Sequence, residues 1–481
     1  MLVTHGNHTA YQDHLPPPTA PWPAAWGDPA AWHRALQWCR AADFDACAPI
    51  LAALYHPTRG RPAIDPVTLL CALGLQVIFG EPSITAWVQR LRQTPFLARL
   101  CGWTAKVPAV GTFYGFLDRL YPDRPRRRSA LRRPSGRKLK LKPGEKLPPR
   151  RAGATDRVAR RVTREARRPA RPRVTDAWDA LLAVVVQASV DRGVIPATWD
   201  VAVDGTPVES GAHSFGQKVC DCPGKRCPCL RRFSDPGALL GWDSHRNRYY
   251  FGYNAVALTV ANAVPDDTSH PLVVSVALHP ANRHDGIAYP DLLVKTQRRY
   301  AGTACAIHRV IGDAAFDADA LWQFTQDQTV TPVFAPHTPP APPHLSPAAE
   351  AAGMRLDPDH RPICAADRPL VPRGVARRGV AAWACPLQNK TAPPCPTPCA
   401  KAGKLVSVNF RGTRYDQIGL PYRSPEWDTV YAQRTSVERS NSLWASGGVK
   451  AARHRRPYLW YGRLVVAALT QHIQAWVRAR A

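Results

Sequence analysis

The spacing of hydrophobic residues changes once along this chain, near residue 196, and this change most restricts its fold. Before it, apolar residues recur at the helical period, as in 65-DPVTLLCALGLQVIFG-80 and 175-TDAWDALLAVVVQASVDRG-193. After it, 197-ATWDVAVDGT-206 alternates between apolar and polar residues, as strands do. Strand patterns then alternate with helical ones as far as a final helix over residues 457–479. This order predicts an α/β fold, with helices on the faces of a sheet.

Residues 1–121 are predicted to form a helical N-terminal domain. Asp65 and Pro66 are suited to the N-cap and first position of one helix, which Gly80 would end. Three further short helices follow, separated by turns that contain Gly or Pro. A helix-turn-helix that binds DNA fits this pattern. A plain helical bundle that packs or pairs subunits fits it equally well.

Positive charge is concentrated in one segment. The net charge is +28, and residues 124–173 hold 21 Lys or Arg but only three acidic residues. We interpret residues 122–174 as a flexible basic linker that lies along phosphates, because such a block repels itself. An Arg-rich composition produced by GC-rich coding is the alternative. The candidate DNA-binding residues of this segment are Arg126, Arg127, Arg128, Lys138, Lys140 and Lys142.

Two features bear on where the protein works. We find no signal-peptide pattern, and no run reaches the ~18 apolar residues that a membrane span needs. The thirteen cysteines are an odd number, which favours thiols or metal ligands over a disulfide framework. We therefore expect a protein of the reducing cytoplasm.

Three acidic residues are candidates for a shared metal site. Asp204 is expected to end a strand before Gly205, Asp313 to end another after Gly312, and Glu438 to lie on a late helix. Carboxylates at strand ends project into the crevice where open sheets hold ligands, and together they suit Mg²⁺ or Mn²⁺. Taken singly, a strand-end Asp more often shapes a turn. Their order, beside the strong positive charge, favours the metal site.

The stretch 431-YAQRTSVERSNSLW-444 surrounds Glu438. Read as one helix, it places Tyr431, Arg434 and Glu438 on the same face. Arg434 is suited to holding a phosphate through its planar fork, although an Arg near a Glu is often only a surface ion pair. Tyr431 is suited to orienting a phosphate or stacking on a base, and equally to packing.

These motifs together resemble those of bacterial insertion-sequence transposases of the DDE class. Their first Asp is matched by 201-VAVDGT-206, their second by 312-GDAAFD-317, and their Tyr/Arg/Glu helix by 431-YAQRTSVE-438. The family's following Lys is replaced by Ala445, and the nearest Lys is Lys450. The N-terminal helical pattern and the Cys-bearing segment before Glu438 also resemble this family.

The resemblance implies a fold and an activity. It implies an RNase H-like mixed sheet flanked by helices, with residues 175–335 and 426–481 forming the catalytic domain around an irregular Cys/Pro-rich insertion, 336–425. It implies a transposase that binds terminal inverted repeats in double-stranded DNA and cuts and joins strands, with two Mg²⁺ or Mn²⁺ ions bound by Asp204, Asp313 and Glu438. A homodimer in the synaptic complex and association with the bacterial nucleoid are also expected. The alternative is a catalytically inactive, transposase-derived DNA-binding protein.

The cysteines offer two further candidate metal sites. The first is 220-CDCPGKRCPC-229, in which two C-x-C pairs provide Cys220, Cys222, Cys227 and Cys229. Four thiolates this close can bind Zn²⁺, although C-x-C spacing is less usual than C-x2-C. The second, looser set consists of Cys364, Cys385, Cys395 and Cys399. Unpaired thiols are the alternative for both sets.

Overall fold

The computed structural model describes residues 6–15, 29–56, 60, 62–103, 106–121, 130–132, 153–169, 173, 175–223, 227–261, 271–337, 342–377, 380–388, 405–409, 420 and 422–479. Eight residues with a predicted role lie outside these ranges: Arg126, Arg127, Arg128, Lys138, Lys140, Lys142, Cys395 and Cys399.

Helices and strands of the described chain are numbered in chain order. The helices are α1 (His8–Gln12), α2 (Pro29–Ala41), α3 (Ala48–Ala52), α4 (Pro66–Ile78), α5 (Ile84–Gln93), α6 (Pro95–Leu100), α7 (Val110–Arg119), α8 (Ala154–Ala166), α9 (Asp176–Asp191), α10 (Asp285–Tyr300), α11 (Asp319–Asp327), α12 (Pro347–Glu350), α13 (Pro425–Ala432), α14 (Thr435–Ser446) and α15 (Pro457–Ala479). The strands are β1 (Ala130–Arg132), β2 (Thr198–Glu209), β3 (Gln217–Lys218), β4 (Arg231–Phe233), β5 (Leu239–Asp243), β6 (Arg248–Val260), β7 (Val273–Pro280), β8 (Ala306–Gly312), β9 (Thr331–Phe334), β10 (His344–Leu345), β11 (Arg355–Leu356), β12 (Pro362–Ile363), β13 (Val371–Arg377), β14 (Val380–Ala384) and β15 (Val406–Asn409).

The N-terminal region is helical, as predicted. Asp65 accepts a hydrogen bond from the Val67 backbone N–H at 2.9 Å, which caps α4. Ser83 caps α5 in the same way through the Ala86 N–H at 3.3 Å. Helix α4 is buried over most of its length, so it forms the centre of this region.

A six-stranded mixed sheet forms the centre of the molecule. Antiparallel pairing joins β6 to β5, β7 and β2, whereas β2 pairs in parallel with β8 and β8 with β9. Val310 and Phe334 face the large core that includes residues of α10 and α11. Ile311 and Val333 face the opposite way, against α13. The sheet is therefore covered by helices on both faces, which confirms the predicted fold class.

The last helix joins the N-terminal region to the sheet. Helix α15 packs against α2 and α4 of the N-terminal region and also against α9 and β7. Arg463, within α15, donates a hydrogen bond to the Glu81 carbonyl at 3.0 Å. The N-terminal helices and the sheet consequently share one continuous hydrophobic core.

The segment expected to be a flexible linker, 122–174, is partly ordered. Helix α8 packs against α10 and α11, with Ala159 and Val162 buried. Arg161 forms an ion pair with Asp291 of α10 at 2.6 Å. The expectation of flexibility is therefore wrong for this part, because one face of the basic helix is apolar enough to pack.

The insertion 336–425 is predicted to be irregular, but part of it forms strands. An antiparallel sheet of order β10-β15-β14-β13 lies within it, beside a β11–β12 hairpin. Leu345, Met354, Leu370 and Val408 form a small core of their own. These strands are only two to seven residues long, so their alternating pattern is too short to recognise among the prolines.

The region around Glu438 is two helices and not one. Helix α13 ends at Ala432 and α14 begins at Thr435, with Gln433 and Arg434 at the junction. Among the described residues, no helix has both the length and the apolar character required to cross a membrane.

Candidate active site

Two of the three predicted carboxylates lie side by side, one on a strand and the other directly after the adjacent strand. Val203 of β2 and Gly312 of β8 are register partners in the parallel pair, and Asp204 and Asp313 are the next residues of the two chains. Asp313 accepts a hydrogen bond from the Ala315 N–H at 2.9 Å and begins a short 3₁₀ turn. The prediction that Asp204 ends its strand is wrong, because β2 continues to pair with β6 as far as Glu209.

Asp204 is held in a largely buried, acidic environment. Its Oδ2 atom accepts a hydrogen bond from Asn441 Nδ2 of α14 at 3.2 Å. Burial raises the pKa of Asp204 to about 7, and the nearby carboxylates of Asp285, Asp313 and Glu438 contribute to this rise. A group of carboxylates that destabilise each other's charge is a place where a cation would be stabilised.

Asp285 is a fourth carboxylate beside the site. A Cβ atom on Gly205 would clash with Asp285 Oδ1, so the carboxylate occupies the space that glycine leaves and would have to move for a larger residue. Asn254 of β6 donates a hydrogen bond to the same oxygen, and burial raises the pKa of Asp285. In the sequence, 282-NRHDG-286 resembles an ordinary turn, and only the Gly after Asp204 hints at a close neighbour.

Glu438 faces the same region from α14 but pairs with an arginine. Its Oε1 atom lies 2.7 Å from Arg434 Nη1, and its side chain is 47% exposed. The Arg434 guanidinium lies 5.8 Å from the centre of the Tyr431 ring, and that ring stacks on Trp427 at 4.5 Å. Tyr431, Arg434 and Glu438 thus remain neighbours across the junction between the two helices.

The chemistry of these side chains fits a divalent cation. Carboxylate oxygens are the ligands that Mg²⁺ and Mn²⁺ prefer. The raised pKa values of Asp204 and Asp285 show that ionising both is costly here, and a bound cation removes that cost. The Oδ1 atom of Asn441 is buried and finds no hydrogen-bond partner among the described residues, so one more oxygen beside Asp204 is free.

The carboxylates are not closed around a common point. Among the described residues, no three of them bring an oxygen each within 4.8 Å of one another, and Glu438 is turned toward Arg434. Glu438 therefore needs a change of rotamer, and the loss of this ion pair, to share an ion with Asp204 and Asp313.

Lys450 adds a half-buried cation that the sequence did not single out as part of the site. It lies after α14, and its ammonium donates a hydrogen bond to Thr206 Oγ1 on β2. Burial and the nearby Arg246 lower the pKa of Lys450 to about 8, whereas attraction to Asp204 opposes this change. Lys450 thus brings a positive charge to the acidic site, although Ala445 occupies the motif's lysine position.

The cysteines of the first candidate set meet, and those of the second are only partly described. The sulfur atoms of Cys220, Cys222, Cys227 and Cys229 all lie within 4.8 Å of one another. Cys364 is buried in the small core of the insertion, and Cys385 is half-buried. Because Cys395 and Cys399 lie outside the described residues, the second set stays a prediction.

A six-stranded mixed sheet with three antiparallel and two parallel strand pairings, with Asp204 on β2 beside Asp313 directly after β8, is the arrangement expected of an RNase H-like domain. Comparison with family models supports this fold and identifies the family. A transposase domain matches residues 31–119, and a transposase DDE domain matches residues 196–458, more than half of the chain. No match is found among curated proteins. The chain belongs to the DDE transposases of insertion sequences.

Proposed function

We propose that this transposase is catalytically active, and that Asp204, Asp313 and Glu438 are its catalytic residues. The observation that carries the proposal is that Asp204 on β2 lies beside Asp313, which directly follows the parallel strand β8, with Glu438 facing them from α14. The three residues also occupy the acidic positions of the motifs resembling the family. The substrate is double-stranded DNA that carries the terminal inverted repeats of the element.

Asp204, Asp313 and Glu438 would hold two Mg²⁺ or Mn²⁺ ions. When bound, such ions activate a water molecule and stabilise the oxygen that leaves phosphorus. The protein's own part is to place the three carboxylates and to keep Asp204 ionised once its charge is balanced. Asn441 orients Asp204 through the hydrogen bond to Oδ2. Arg434, released from Glu438, is free to bind a phosphate oxygen.

The reaction proceeds in two displacements at phosphorus. Water attacks first, the bond from phosphorus to the 3′ oxygen breaks, and the strands end in a 3′-hydroxyl and a 5′-phosphate. The 3′-hydroxyl then attacks a phosphorus of the target DNA. Since one phosphodiester bond forms as another breaks, strand transfer requires no external energy source.

The rest of the chain supplies binding to DNA. The net charge of +28 and the basic segment 124–173 favour contact with phosphates, and Tyr431 and Arg434 lie beside the carboxylates. We propose that two copies of the chain act together in the synaptic complex, one for each end of the element. The site of action is then the bacterial nucleoid in the cytoplasm, where the DNA lies.

The test is cleavage of labelled duplexes taken from both flanks of the coding sequence, each spanning a terminal inverted repeat. We expect the full chain with Mg²⁺ to cut at the repeat ends, and EDTA to stop cutting. Asp313→Asn should reduce the cutting rate by at least 10³-fold, because a metal ligand is lost. Binding to the same duplexes should change less than threefold, because Asp313 is not expected to touch a phosphate directly.

Asp428→Asn is the matched control. Asp428 lies exposed on α13, so the same chemical change there should leave cutting unaltered. If Asp313→Asn cuts at the rate of the parent, the catalytic assignment is wrong. If the parent binds the repeats but never cuts them, the chain is a DNA-binding descendant that has lost the chemistry.

A further inference from the structure

The four cysteines of 220-CDCPGKRCPC-229 lie on facing arms of a hairpin between β2 and β5. Strands β3 and β4 pair antiparallel, with Gln217 opposite Arg232 and Lys218 opposite Arg231. One C-x-C pair follows β3 directly and the other precedes β4. The register of the hairpin therefore brings the two pairs face to face.

The spacing of the sulfur atoms suits a single metal ion. The sulfurs of Cys220 and Cys227 are 3.3 Å apart, and those of Cys222 and Cys229 are 3.5 Å apart. Four thiolates around Zn²⁺ in a tetrahedron, each about 2.3 Å from the ion, lie about 3.8 Å from one another. A disulfide would need about 2.05 Å. Among the described residues, this is the one cluster of three or more potential metal ligands within 4.8 Å.

The end of the hairpin that carries the cysteines has little apolar packing. Strands β3 and β4 are two and three residues long, and so short a hairpin is not stable in water without further packing. Phe215, Val219 and Leu230 around it are 59%, 45% and 46% exposed, so they provide no core. Small folding units of this kind are commonly stabilised by a structural metal.

We propose that Cys220, Cys222, Cys227 and Cys229 bind one structural Zn²⁺. All four positions of a tetrahedral site are filled by protein thiolates, so no position is left for water or substrate. The ion stabilises the hairpin and takes no part in cutting DNA. This site is separate from the carboxylates, and the proposal does not depend on the proposed function.

The hairpin connects two parts of the molecule. On one side, β1, which comes from the basic segment, pairs with β4, with Leu131 opposite Arg232. On the other side, buried Asp235 accepts hydrogen bonds from Ser210 Oγ at 2.6 Å and Tyr253 OH at 2.5 Å, which fix the base of the hairpin to the sheet. The zinc site would thus secure the basic segment to the catalytic sheet.

Metal content tests the proposal directly. The full chain, purified without a tag, should carry one more equivalent of zinc by mass spectrometry of the elements than the double variant Cys222→Ser, Cys229→Ser. The difference isolates this site from any zinc bound by the second cysteine set. Cys305→Ser, which alters a buried thiol outside the cluster, should keep the parent's zinc content. Equal zinc in the parent and the double variant would overturn the proposal.

Cobalt provides a second measurement, which needs no variant and remains valid if the double variant fails to fold. We expect Co²⁺ to give the parent chain thiolate-to-metal charge-transfer bands and the d–d bands of a tetrahedral site. Peptide mass spectrometry should find all four thiols free once the metal is removed. Absence of the tetrahedral bands, or disulfides joining Cys220 to Cys227 and Cys222 to Cys229 in protein kept reduced, would refute the assignment.

Discussion

At Asp204, burial disfavours the ionised carboxylate that the proposed chemistry requires. Its negative charge would be needed to hold the proposed cation, yet burial raises the pKa of its carboxyl to about 7. Asp285 adds to this effect from beside Gly205. The ionised, metal-free site is therefore a source of instability at neutral pH.

This cost predicts a pH-dependent effect of Asp204→Asn. The folded state binds the proton more tightly than the unfolded state, so the stability contributed by Asp204 is full below about pH 4 and is lost as the pH rises through 7. In EDTA at pH 8, the free energy of unfolding of the variant should exceed that of the parent by on the order of 2 kcal/mol. At pH 4.5 this advantage should be largely gone. Urea unfolding at both pH values measures the difference.

Magnesium should reverse the order of stability. At pH 8 the ion stabilises the parent, whose carboxylates bind it, and leaves Asp204→Asn nearly unchanged. Exposed Asp428, changed to Asn, should track the parent under all conditions. A difference between Asp204→Asn and the parent that is the same at pH 4.5 and pH 8 would contradict this explanation.

Lys450 offers a second residue-scale prediction. Lys450→Met keeps the length of the side chain but removes the charge beside Thr206 and Asp204. We expect the cutting rate to fall at least tenfold, because a cation that would balance phosphate charge is lost. In the parent, cutting should decline above about pH 8, where Lys450 loses its proton. The variant should lack this decline.

Arg455→Met is the matched control, because Arg455 lies exposed five residues further along the chain. Its removal should alter cutting less than twofold. If Lys450→Met and Arg455→Met behave alike, Lys450 has no particular role at the site.

The sequence predicted part of the candidate site for physical reasons. Asp204 lies on a strand and Asp313 directly after another, both strands have clear apolar patterns, and the parallel pairing of these strands brings the two residues together. Asp285 lies in a stretch that resembles an ordinary turn, and its closeness to Gly205 depends on how α10 packs on the sheet. The contact between Lys450 and Thr206 joins residues that are distant in sequence, which no local pattern reveals. The roles of these residues stay predictions until tested.

At the scale of elements, α8 shows how a charged segment can still pack. Arg161 reaches Asp291, while Arg298 of α10 donates hydrogen bonds to the carbonyls of Glu165 and Ala166 near the end of α8. Val162 faces the interior between these contacts. The clustered charge of the segment predicts flexibility, and this charge gives no indication of the apolar face.

Val162→Asp should separate α8 from the sheet domain. Burying an unpaired carboxylate there should lower the free energy of unfolding by about 3 kcal/mol, or release the helix locally. Trypsin should then cut at the arginines of 154–168 much faster than in the parent. Arg164→Ala, on the exposed face of α8, should change stability by less than about 0.5 kcal/mol. Equally rapid cutting in the parent would show that α8 is not held.

Predictions for the remaining elements succeeded where segments were long. Helices α4, α9 and α15 and strand β2 were predicted, because each has many residues with which to show its period. The junction at Gln433 and Arg434 was missed, since both residues are compatible with a continuing helix. The strands of the insertion were missed because strands of only two to seven residues depend on pairing with distant segments for their stability.

For the whole molecule, the charge of the basic segment should govern how salt weakens DNA binding. Residues 133–150 contain seven Lys or Arg and one Glu. Replacing the seven by Gln should flatten the plot of log K against log salt, by up to ~0.9 for each phosphate that the variant no longer neutralises. Fluorescence anisotropy between 50 and 200 mM salt measures the slope.

A shuffled version of residues 133–150 is the matched control. It keeps length, composition and charge, so its slope should equal that of the parent if binding is electrostatic. An unchanged slope in the Gln variant would show that this stretch does not bind DNA.

The position of α15 at the end of the chain limits which mutations can inactivate this protein and still leave it folded. A late stop codon or frameshift would delete the helix on which α2, α4 and the sheet all pack, so a truncated product would lose the packing that joins its N-terminal helices to the sheet. Point substitutions at the carboxylates leave that shared support untouched. Descendants that keep only the ability to occupy the element's ends should therefore arise by missense changes, with the reading frame preserved to its end.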